Sequence, residues 1–214
     1  HGGQLRPPLD DPVHGRDGRD HVLLRFRPEA EPAQRHGAGD GHAQHRRGPG
    51  GGETAIQATP IAADVAYAST SAAQMLDIYL PTGNGPFPVV VVIHGGGFMV
   101  GDKANPALGD ELLNAGYAVA SVNYRLAAEA TYPAQIQDVK AAVRFLRANA
   151  AKYNLDPQRF AAFGQSAGAN LAATLGTSCG VAALEGAELG NADQSSCVQA
   201  VACFFPPTDF LNYG

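Results

Sequence analysis

From about residue 56 the chain alternates short apolar runs with longer segments whose apolar residues recur at helical spacing. Residues 88–93 form a β-branched run with no polar face, which is typical of a central strand covered on both sides. Residues 76–80 alternate apolar and polar side chains and predict a half-buried strand. Further strands are predicted at residues 117–124, 160–163 and 198–205, the last of them buried.

Helical segments lie between these strands. Residues 106–115 can form a helix that Gly116 stops, a longer helix opens at Pro133, and a small-residue helix covers residues 167–177. In the longer helix we expect an apolar stripe to pack on the sheet while the basic side chains face away. The stripe contains Ile136, Val139, Val143 and Leu146, and the basic residues are Lys140, Arg144 and Arg147. Strand–helix alternation predicts an α/β fold with a mostly parallel sheet and right-handed crossovers.

Residues 1–52 have a different character, dominated by Gly, Pro, Arg and His without an apolar period. Such a segment cannot bury enough apolar surface to fold, so we interpret it as a disordered or artefactual leader. Its His36, His42 and His45 match no compact metal-ligand spacing, and no metal site is predicted there. The remaining residues, 53–214, are predicted to form one partial α/β domain. Because the chain begins at His1, it reads as a fragment or a trimmed product.

Composition narrows the class of ligand. The formal net charge is −5 and the pI is about 5.7, which gives no reason to expect nucleic acid or an anionic membrane as a partner. No apolar run reaches the roughly 18 residues needed to cross a bilayer, and no secretory-signal pattern is visible. A small-molecule ligand is expected, and the compartment stays open between cytoplasmic and secreted. Of three cysteines, Cys179 and Cys197 could form a bridge, which the sequence alone does not decide.

The first motif that carries chemistry is Gly164-Gln165-Ser166-Ala167-Gly168, between a predicted strand and a predicted helix. A serine on such a sharp turn is held in a strained backbone conformation that projects its hydroxyl above the sheet. Glycines two residues to either side remove side chains that would clash there. The following helix also points its N-terminal amides toward negative charge beside Ser166. The motif therefore predicts Ser166 as a nucleophile.

The second motif is His94-Gly95-Gly96-Gly97-Phe98, directly after the buried run 88–93. Three successive glycines leave backbone N–H groups uncovered, so Gly96 and Gly97 can stabilise an ester oxyanion together with the amide of Ala167. His94 is not expected to act as the general base. Its place at the strand end favours a ring that braces the loop by hydrogen bonding.

With these motifs the chain resembles the α/β-hydrolase superfamily from about residue 65 to residue 213, in the lipase and esterase branch with the HGGG loop. It is most similar to the feruloyl and acetyl-xylan esterase-like domain of carbohydrate esterases. The supporting strings lie at residues 66–68, 76–81, 94–98, 122–126, 137–142, 164–168 and 207–210. The resemblance implies a three-layer fold without its C-terminal strands, Ser166 as nucleophile, and Gly96, Gly97 and Ala167 as the oxyanion hole.

The resemblance also implies a triad acid after a later strand and a histidine near the C-terminus, neither of which is present in the chain. No histidine follows Ser166, since six of the seven precede residue 50 and the seventh is His94. We therefore expect the 214-residue chain alone to be a poor esterase, with an unpaired sheet edge that promotes aggregation. Asp209 is expected to cap the next segment, while Asp138 and Glu129 are expected at the surface or bracing loops.

The resemblance favours hydrolysis of short or aromatic acyl groups on sugars, such as acetyl or feruloyl xylan, with no metal or organic cofactor. A general carboxylesterase or lipase for small lipophilic esters is the enzymatic alternative. A non-catalytic fragment or binding module that keeps the fold is the alternative from another class. The sequence leaves the oligomeric state open.

Overall fold

The structure is a computed structural model that describes residues 56–212. Its strands are β1 (Ala62–Ala66), β2 (Met75–Tyr79), β3 (Phe87–Ile93), β4 (Ala118–Val122), β5 (Leu155–Gln165) and β6 (Ala200–Phe204). Its helices are α1 (Gly109–Asn114), α2 (Ala134–Ala148), α3 (Ala167–Thr177) and α4 (Ala182–Glu185), followed by a 3-10 helix at Ala187–Leu189. The predicted leader, residues 1–52, lies outside the described residues, and the domain boundary at residue 53 stays a prediction.

The six strands form one sheet in the order β1-β2-β4-β3-β5-β6. Strands β4, β3, β5 and β6 are parallel, whereas β1 and β2 run antiparallel to their neighbours. The prediction of a mostly parallel sheet is confirmed. The β1 strand was not predicted, because its five residues include only two that are even half-buried.

Helices cover both faces of the sheet and produce three layers. Because successive side chains of a strand point to opposite faces, β3 contributes Val89 and Val91 to one face and Val90 and Val92 to the other. The first face packs against α2 and α3, and the second packs against Leu113 of α1. The predicted two-sided burial of β3 is thereby confirmed, and β3 lies at the centre of the molecule.

The side of helix α2 that carries basic residues is buried, which differs from the prediction. The apolar stripe is buried as expected, yet Lys140 and Arg144 are only 0% and 2% exposed. The segment 178–197 packs over this side, where Glu185 accepts hydrogen bonds from both cations. Arg147 also turns inward and lies 4.6 Å from the ring centroid of Phe160. The prediction that the three basic residues face away was therefore wrong, because periodicity does not reveal an irregular segment that covers a helix.

Two element boundaries and the burial of one strand also differ from the predictions. Helix α1 begins at Gly109 rather than at residue 106, because residues 106–108 form a turn that ends at Leu108 with a φ of 57°. Strand β5 starts five residues earlier than predicted. Strand β6 was expected to be buried, but Val201 and Phe204 are 41% and 48% exposed. The prediction for β6 was wrong because, among the described residues, this strand pairs with β5 alone.

The bridge that the sequence left open is formed between Cys179 and Cys197, with the two Cα atoms 5.0 Å apart. It joins the end of α3 to the segment that enters β6. Cys203, in β6, is a free thiol. In the part of the chain that the structure describes, no helix has the length and apolar character needed to span a bilayer.

Candidate active site

Ser166 sits on the turn that leads from the C-terminal end of β5 into α3. Its backbone has φ 53° and ψ −121°, a combination that a residue with a side chain rarely adopts. The Ser166 N–H donates to the Phe204 carbonyl at 3.0 Å, and the Ser166 carbonyl accepts from the Asn170 N–H at 3.1 Å. These bonds tie the turn to β6 and to the first turn of α3. The predicted strained conformation at Ser166 is confirmed.

The glycines beside Ser166 are required by close backbone contacts. A Cβ at Gly164 would lie 2.3 Å from the carbonyl carbon and oxygen of Gly168, and a Cβ at Gly168 would lie 2.1 Å from the carbonyl oxygen of Ile93. Rigid backbone atoms cannot move away from such contacts without shifting α3 or β3. The predicted steric role of Gly164 and Gly168 is thereby confirmed.

The glycine-rich loop after β3 lies against this turn. A Cβ added at Gly95 would lie 3.5 Å from the Cβ of Ser166, so this glycine packs directly beside the serine. Gly96 and Gly97 have φ values of 102° and 61°, and the Gly96 carbonyl accepts hydrogen bonds from two following N–H groups. Among residues 56–212, the N–H groups of Gly96, Gly97 and Ala167 donate to no other residue. Gly96 and Gly97 are exposed whereas Ala167 is buried, and the role of these three amides as an oxyanion hole stays a prediction.

His94 braces the loop rather than reaching the serine. Its Nδ1 lies 2.8 Å from the Gly95 carbonyl oxygen, which requires a proton on Nδ1, and its ring stacks on Tyr124 with centroids 4.4 Å apart. The Tyr124 hydroxyl in turn donates to the His94 carbonyl at 3.0 Å. Burial lowers the pKa of His94, so the ring is neutral near pH 7. The predicted bracing role of His94 is confirmed.

Ser166 opens into a pocket of about 450 Å³, which we call the serine pocket. Gly95 and Gly96 line it together with Ser166, and Asp102 and Phe205 line its other walls. The Asp102 carboxylate accepts hydrogen bonds from the Ala104 N–H and the Asn123 carboxamide at 2.8 and 3.0 Å. Although partial burial opposes ionisation, these bonds lower the pKa of Asp102. The sequence interpretation missed Asp102, which follows the glycine motif by four residues, and Phe205, which lies 37 residues after Gly168.

A model of the BD-FAE family matches residues 76–214, which include both motifs and the sheet from the second residue of β2 onwards. The chain belongs to the BD-FAE family. The resemblance to α/β-hydrolase esterases that the motifs indicated is confirmed.

Relatives of this BD-FAE chain include carboxylesterase NlhH of Mycobacterium tuberculosis (strain CDC 1551 / Oshkosh). It is 46% identical over 90 residues, which are 41% of this chain and 28% of NlhH. A truncated carbohydrate esterase from gut microbiota matches with a TM-score of 0.67 and 37% identity, covering 72% of this chain and 60% of that one. The bifunctional GH43-CE protein of Bacteroides eggerthii matches with a TM-score of 0.64 and 41% sequence identity. The match covers 69% of this chain and 21% of that protein. The chain thus spans less than two thirds of the length of each of these three proteins.

Two of the three carboxylates named in the sequence analysis of this BD-FAE chain, Asp138 and Asp209, make structural contacts. Asp209 accepts hydrogen bonds from the N–H groups of Leu211 and Asn212, which confirms its predicted capping role. Asp138 is fully buried, so of its two predicted roles, at the surface or bracing a loop, the first does not hold. It does brace a loop, because its oxygens bind the Arg125 guanidinium, the Arg125 N–H and a glutamine amide. Glu129 is exposed, as predicted. Within residues 56–212, no cluster of His, Cys, Asp and Glu is suited to a metal ion.

Proposed function

We propose that Ser166 is the nucleophile of a carboxylic ester hydrolase. The observation that carries this proposal is the positive-φ turn at Ser166, which places the serine in one pocket with Gly96. The glycines on either side of this turn are required because neighbouring backbone atoms leave no room for a Cβ. A strained turn of this kind would not persist without the packing that surrounds it. The family and the names of the relatives support the same reaction.

In the proposed reaction the Ser166 Oγ attacks the ester carbonyl carbon while its proton passes to a general base. The carbonyl oxygen becomes an oxyanion that accepts hydrogen bonds from the N–H groups of Gly96, Gly97 and Ala167. Each such donor contributes about 3 kcal/mol of transition-state stabilisation. Collapse of the tetrahedral intermediate expels the alcohol, which takes up the proton, and leaves an acyl group on Ser166. Water then attacks the acyl group and releases the acid.

The general base is the part of this mechanism that residues 56–212 do not provide. His94 is the only histidine among them, and its Nδ1–H is held by the loop carbonyl of Gly95. The family resemblance implies a histidine that follows the nucleophile in sequence, and no histidine follows Ser166 here. We therefore expect the 214-residue chain to turn over p-nitrophenyl acetate slowly. Rapid turnover that Ser166→Ala abolishes would contradict this expectation.

Covalent labelling tests the nucleophile independently of turnover. A fluorophosphonate in excess should form one adduct with the chain on long incubation, slowly because the general base is missing, and intact-mass analysis should show that Ser166→Ala removes it. Ser195→Ala is the matched control, because Ser195 is exposed in the segment 178–197 and should leave labelling unchanged. An adduct that survives in Ser166→Ala would show that another residue is labelled, and no adduct with wild type after long incubation would favour a non-catalytic fold.

For the substrate, we propose short-chain or carbohydrate-linked acyl esters, of the acetyl or feruloyl xylan type. The two solved structures named above, a carbohydrate esterase and a GH43-CE protein, support this class. The match to a carboxylesterase favours small lipophilic esters as the second candidate. Hydrolysis of acetylated xylan and of long-chain glycerides, compared in one assay with Ser166→Ala as the blank, separates the two. Activity on glycerides alone would remove the carbohydrate assignment.

A further inference from the structure

A carboxylate lies on the wall of the serine pocket. Of the side chains in residues 56–212 that line this pocket, Asp102 is the one that carries a charge at neutral pH. His94 also lines the pocket, but burial lowers its pKa and keeps its ring neutral. The proposed nucleophile and a negative charge thus share one space of about 450 Å³, within the range of about 300 to 1,000 Å³ that small-molecule sites have.

Asp102 is held close to the glycine loop by the residue before it. A Cβ at Gly101 would lie 2.8 Å from the Gly95 carbonyl oxygen and would also meet the His94 ring, so residue 101 packs against the start of the loop. Gly95 in turn packs directly beside Ser166. Two close packing contacts therefore lie between Ser166 and the residue that precedes Asp102. The alcohol part of an ester bound at Ser166 can reach the Asp102 carboxylate.

Hydrogen bonds fix the bend that carries Asp102. The Asn123 carboxamide donates to Asp102 Oδ2 at 3.0 Å and accepts from the Lys103 N–H at 2.7 Å. The Lys103 carbonyl accepts from the Ser121 hydroxyl of β4 at 2.7 Å, and the Lys103 ammonium lies 2.9 Å from the Asp77 carboxylate of β2. The bend is thereby tied to two strands of the sheet. A polar group that is already held in place binds a ligand at low cost in conformational entropy.

The Asp102 carboxylate keeps acceptor capacity for a ligand. Its Oδ1 accepts from the Ala104 N–H and its Oδ2 from Asn123, whereas a carboxylate offers about four lone-pair sites. Among the described residues no ion pair includes Asp102, which is exposed. The lowered pKa of Asp102 keeps it ionised at neutral pH. It can therefore accept charge-assisted hydrogen bonds from the hydroxyl groups of a ligand.

Two carboxamides add further polar groups to the same pocket. Asn105 and Gln165 both line it, and within residues 56–212 neither carboxamide is hydrogen-bonded to another residue. A carboxamide both donates and accepts, so one ligand hydroxyl can donate to Asp102 while another bonds to Asn105 or Gln165. A site with such groups disfavours an analogue that lacks the hydroxyls, because the polar groups of the site then stay unpaired.

We propose that Asp102 determines the alcohol specificity of the proposed hydrolase by accepting a hydrogen bond from a polyhydroxy alcohol, such as a sugar, whose ester carbonyl lies at Ser166. Asn105 and Gln165 bind further hydroxyls of the same alcohol. This assignment rests on the proposed function. The same carboxylate repels an alcohol part that carries a negative charge.

Binding to the Ser166→Ala chain tests the proposal without turnover, and every variant is made in that chain. The probes are a mono-O-acetylated methyl xyloside, the same ester with its free hydroxyls methylated, and the anionic O-acetyl-lactate, with dissociation constants from NMR titration. Asp102→Asn replaces the carboxylate by a neutral group of the same shape, and Asn105→Ala removes one carboxamide. Glu111→Gln is the matched control, because it removes one charge from an exposed side chain of α1 outside the serine pocket.

The hydroxylated ester should bind more tightly than its methylated form. Asp102→Asn should weaken its binding about 5- to 10-fold, as expected for the loss of a charge-assisted hydrogen bond, and Asn105→Ala should weaken it about 2- to 5-fold. Binding of the methylated ester should stay within about twofold. Asp102→Asn should tighten binding of O-acetyl-lactate about 3-fold, because the repulsion between like charges is removed. Glu111→Gln should change each value less than about twofold.

The opposite effects on the neutral and the anionic probe distinguish recognition from a loss of structure. Weakening of all three probes alike by Asp102→Asn would indicate a structural role and overturn the proposal. Equal binding of the hydroxylated and the methylated ester, or equal effects of Asp102→Asn and Glu111→Gln, would also overturn it. If Asp102→Asn does not fold, the comparison of the two xylosides and the effect of Asn105→Ala decide in the same way.

This outcome is separable from that of the labelling experiment. Loss of fluorophosphonate labelling with intact hydroxyl-dependent binding would remove the hydrolase and keep the serine pocket as a binding site. Intact labelling without hydroxyl-dependent binding would keep the nucleophile and overturn the role of Asp102.

Discussion

The unusual feature of Ser166 is its backbone conformation rather than its side chain. Serine is common in proteins, but a serine with a φ of 53° between two glycines that touch neighbouring backbone is rare. The contact of Gly168 with the Ile93 carbonyl brings α3 against the end of β3, which also starts the glycine loop. One contact thus sets the separation between the serine and the loop that we propose as its oxyanion hole.

Replacement of Gly168 tests that contact. Gly168→Ala places a Cβ 2.1 Å from the Ile93 carbonyl oxygen, so α3 must move away from β3. We expect a loss of about 1 to 3 kcal/mol in the free energy of unfolding by urea titration, together with loss of fluorophosphonate labelling. Gly176→Ala is the control, because its Cβ meets only the Val201 side chain. Equal stability and labelling of Gly168→Ala and wild type would contradict the packing account.

Residue-scale features that depend on near neighbours could be predicted from the sequence. The spacing of Gly164 and Gly168 around Ser166 gave the turn and its steric requirement. The contact of Gly95 with Ser166 and the entry of Asp102 into the serine pocket could not be predicted, because they join segments far apart in sequence. The placement of the oxyanion donors Gly96, Gly97 and Ala167 stays a prediction.

At the scale of elements, α2 is held between the sheet and the segment 178–197. Its Lys140 and Arg144 are buried beneath that segment and share the carboxylate of Glu185, which is 22% exposed. Although burial opposes ionisation, hydrogen bonds from Lys140 and Ser196 lower the pKa of Glu185. The periodicity of α2 predicted its apolar face correctly, but a covering segment without periodicity of its own leaves no signal in the helix sequence.

Glu185→Gln should destabilise the protein because it leaves two buried cations without their carboxylate. We expect a loss of about 2 kcal/mol at pH 7 in urea unfolding. The difference from wild type should vanish as the pH falls through the lowered pKa of Glu185, because protonation then removes the same charge. Asp156→Asn, which removes the partner of the exposed Arg159, should cost less than about 1 kcal/mol. A Glu185→Gln variant as stable as Asp156→Asn would contradict this account.

The Cys179–Cys197 bridge should stabilise the same segment. It closes a loop with a sequence separation of 18, for which reduction costs about 3 kcal/mol. Thermal unfolding with and without dithiothreitol should show this loss in wild type, and Cys197→Ser should be insensitive to the reductant. Under denaturing, non-reducing conditions we expect one titratable thiol, that of Cys203. Three titratable thiols would show that the bridge is not formed.

At the scale of the whole molecule, the sheet runs from the antiparallel β1 to the parallel β6. Within the described residues the outer side of β6 has no partner strand, and apolar side chains are exposed along it and just after it. They are Val201, Phe204 and Phe205. The parallel order of the central strands could be predicted from the alternation of strands and helices alone. The exposure of β6 could not be predicted, because it depends on the position of this strand in the sheet and not on its own apolar sequence. An apolar sheet edge of this kind favours association of chains.

A charge on β6 tests whether this edge drives association. Val201→Lys should raise the monomer fraction in size-exclusion chromatography with light scattering, because a lysine on an edge strand opposes edge-to-edge pairing. Leu211→Lys is the control, since Leu211 is 97% exposed outside the strand and should change association less. A wild-type chain that is monomeric at all concentrations would contradict the prediction.

The central claim is that the turn at Ser166 presents its hydroxyl to amides of the distant glycine loop. A crystal structure of the chain phosphonylated at Ser166 tests it most directly. The account predicts a phosphoryl oxygen at about 2.7 to 3.1 Å from the backbone nitrogens of Gly96, Gly97 and Ala167. A phosphoryl oxygen that points into solvent, away from all three nitrogens, would contradict it.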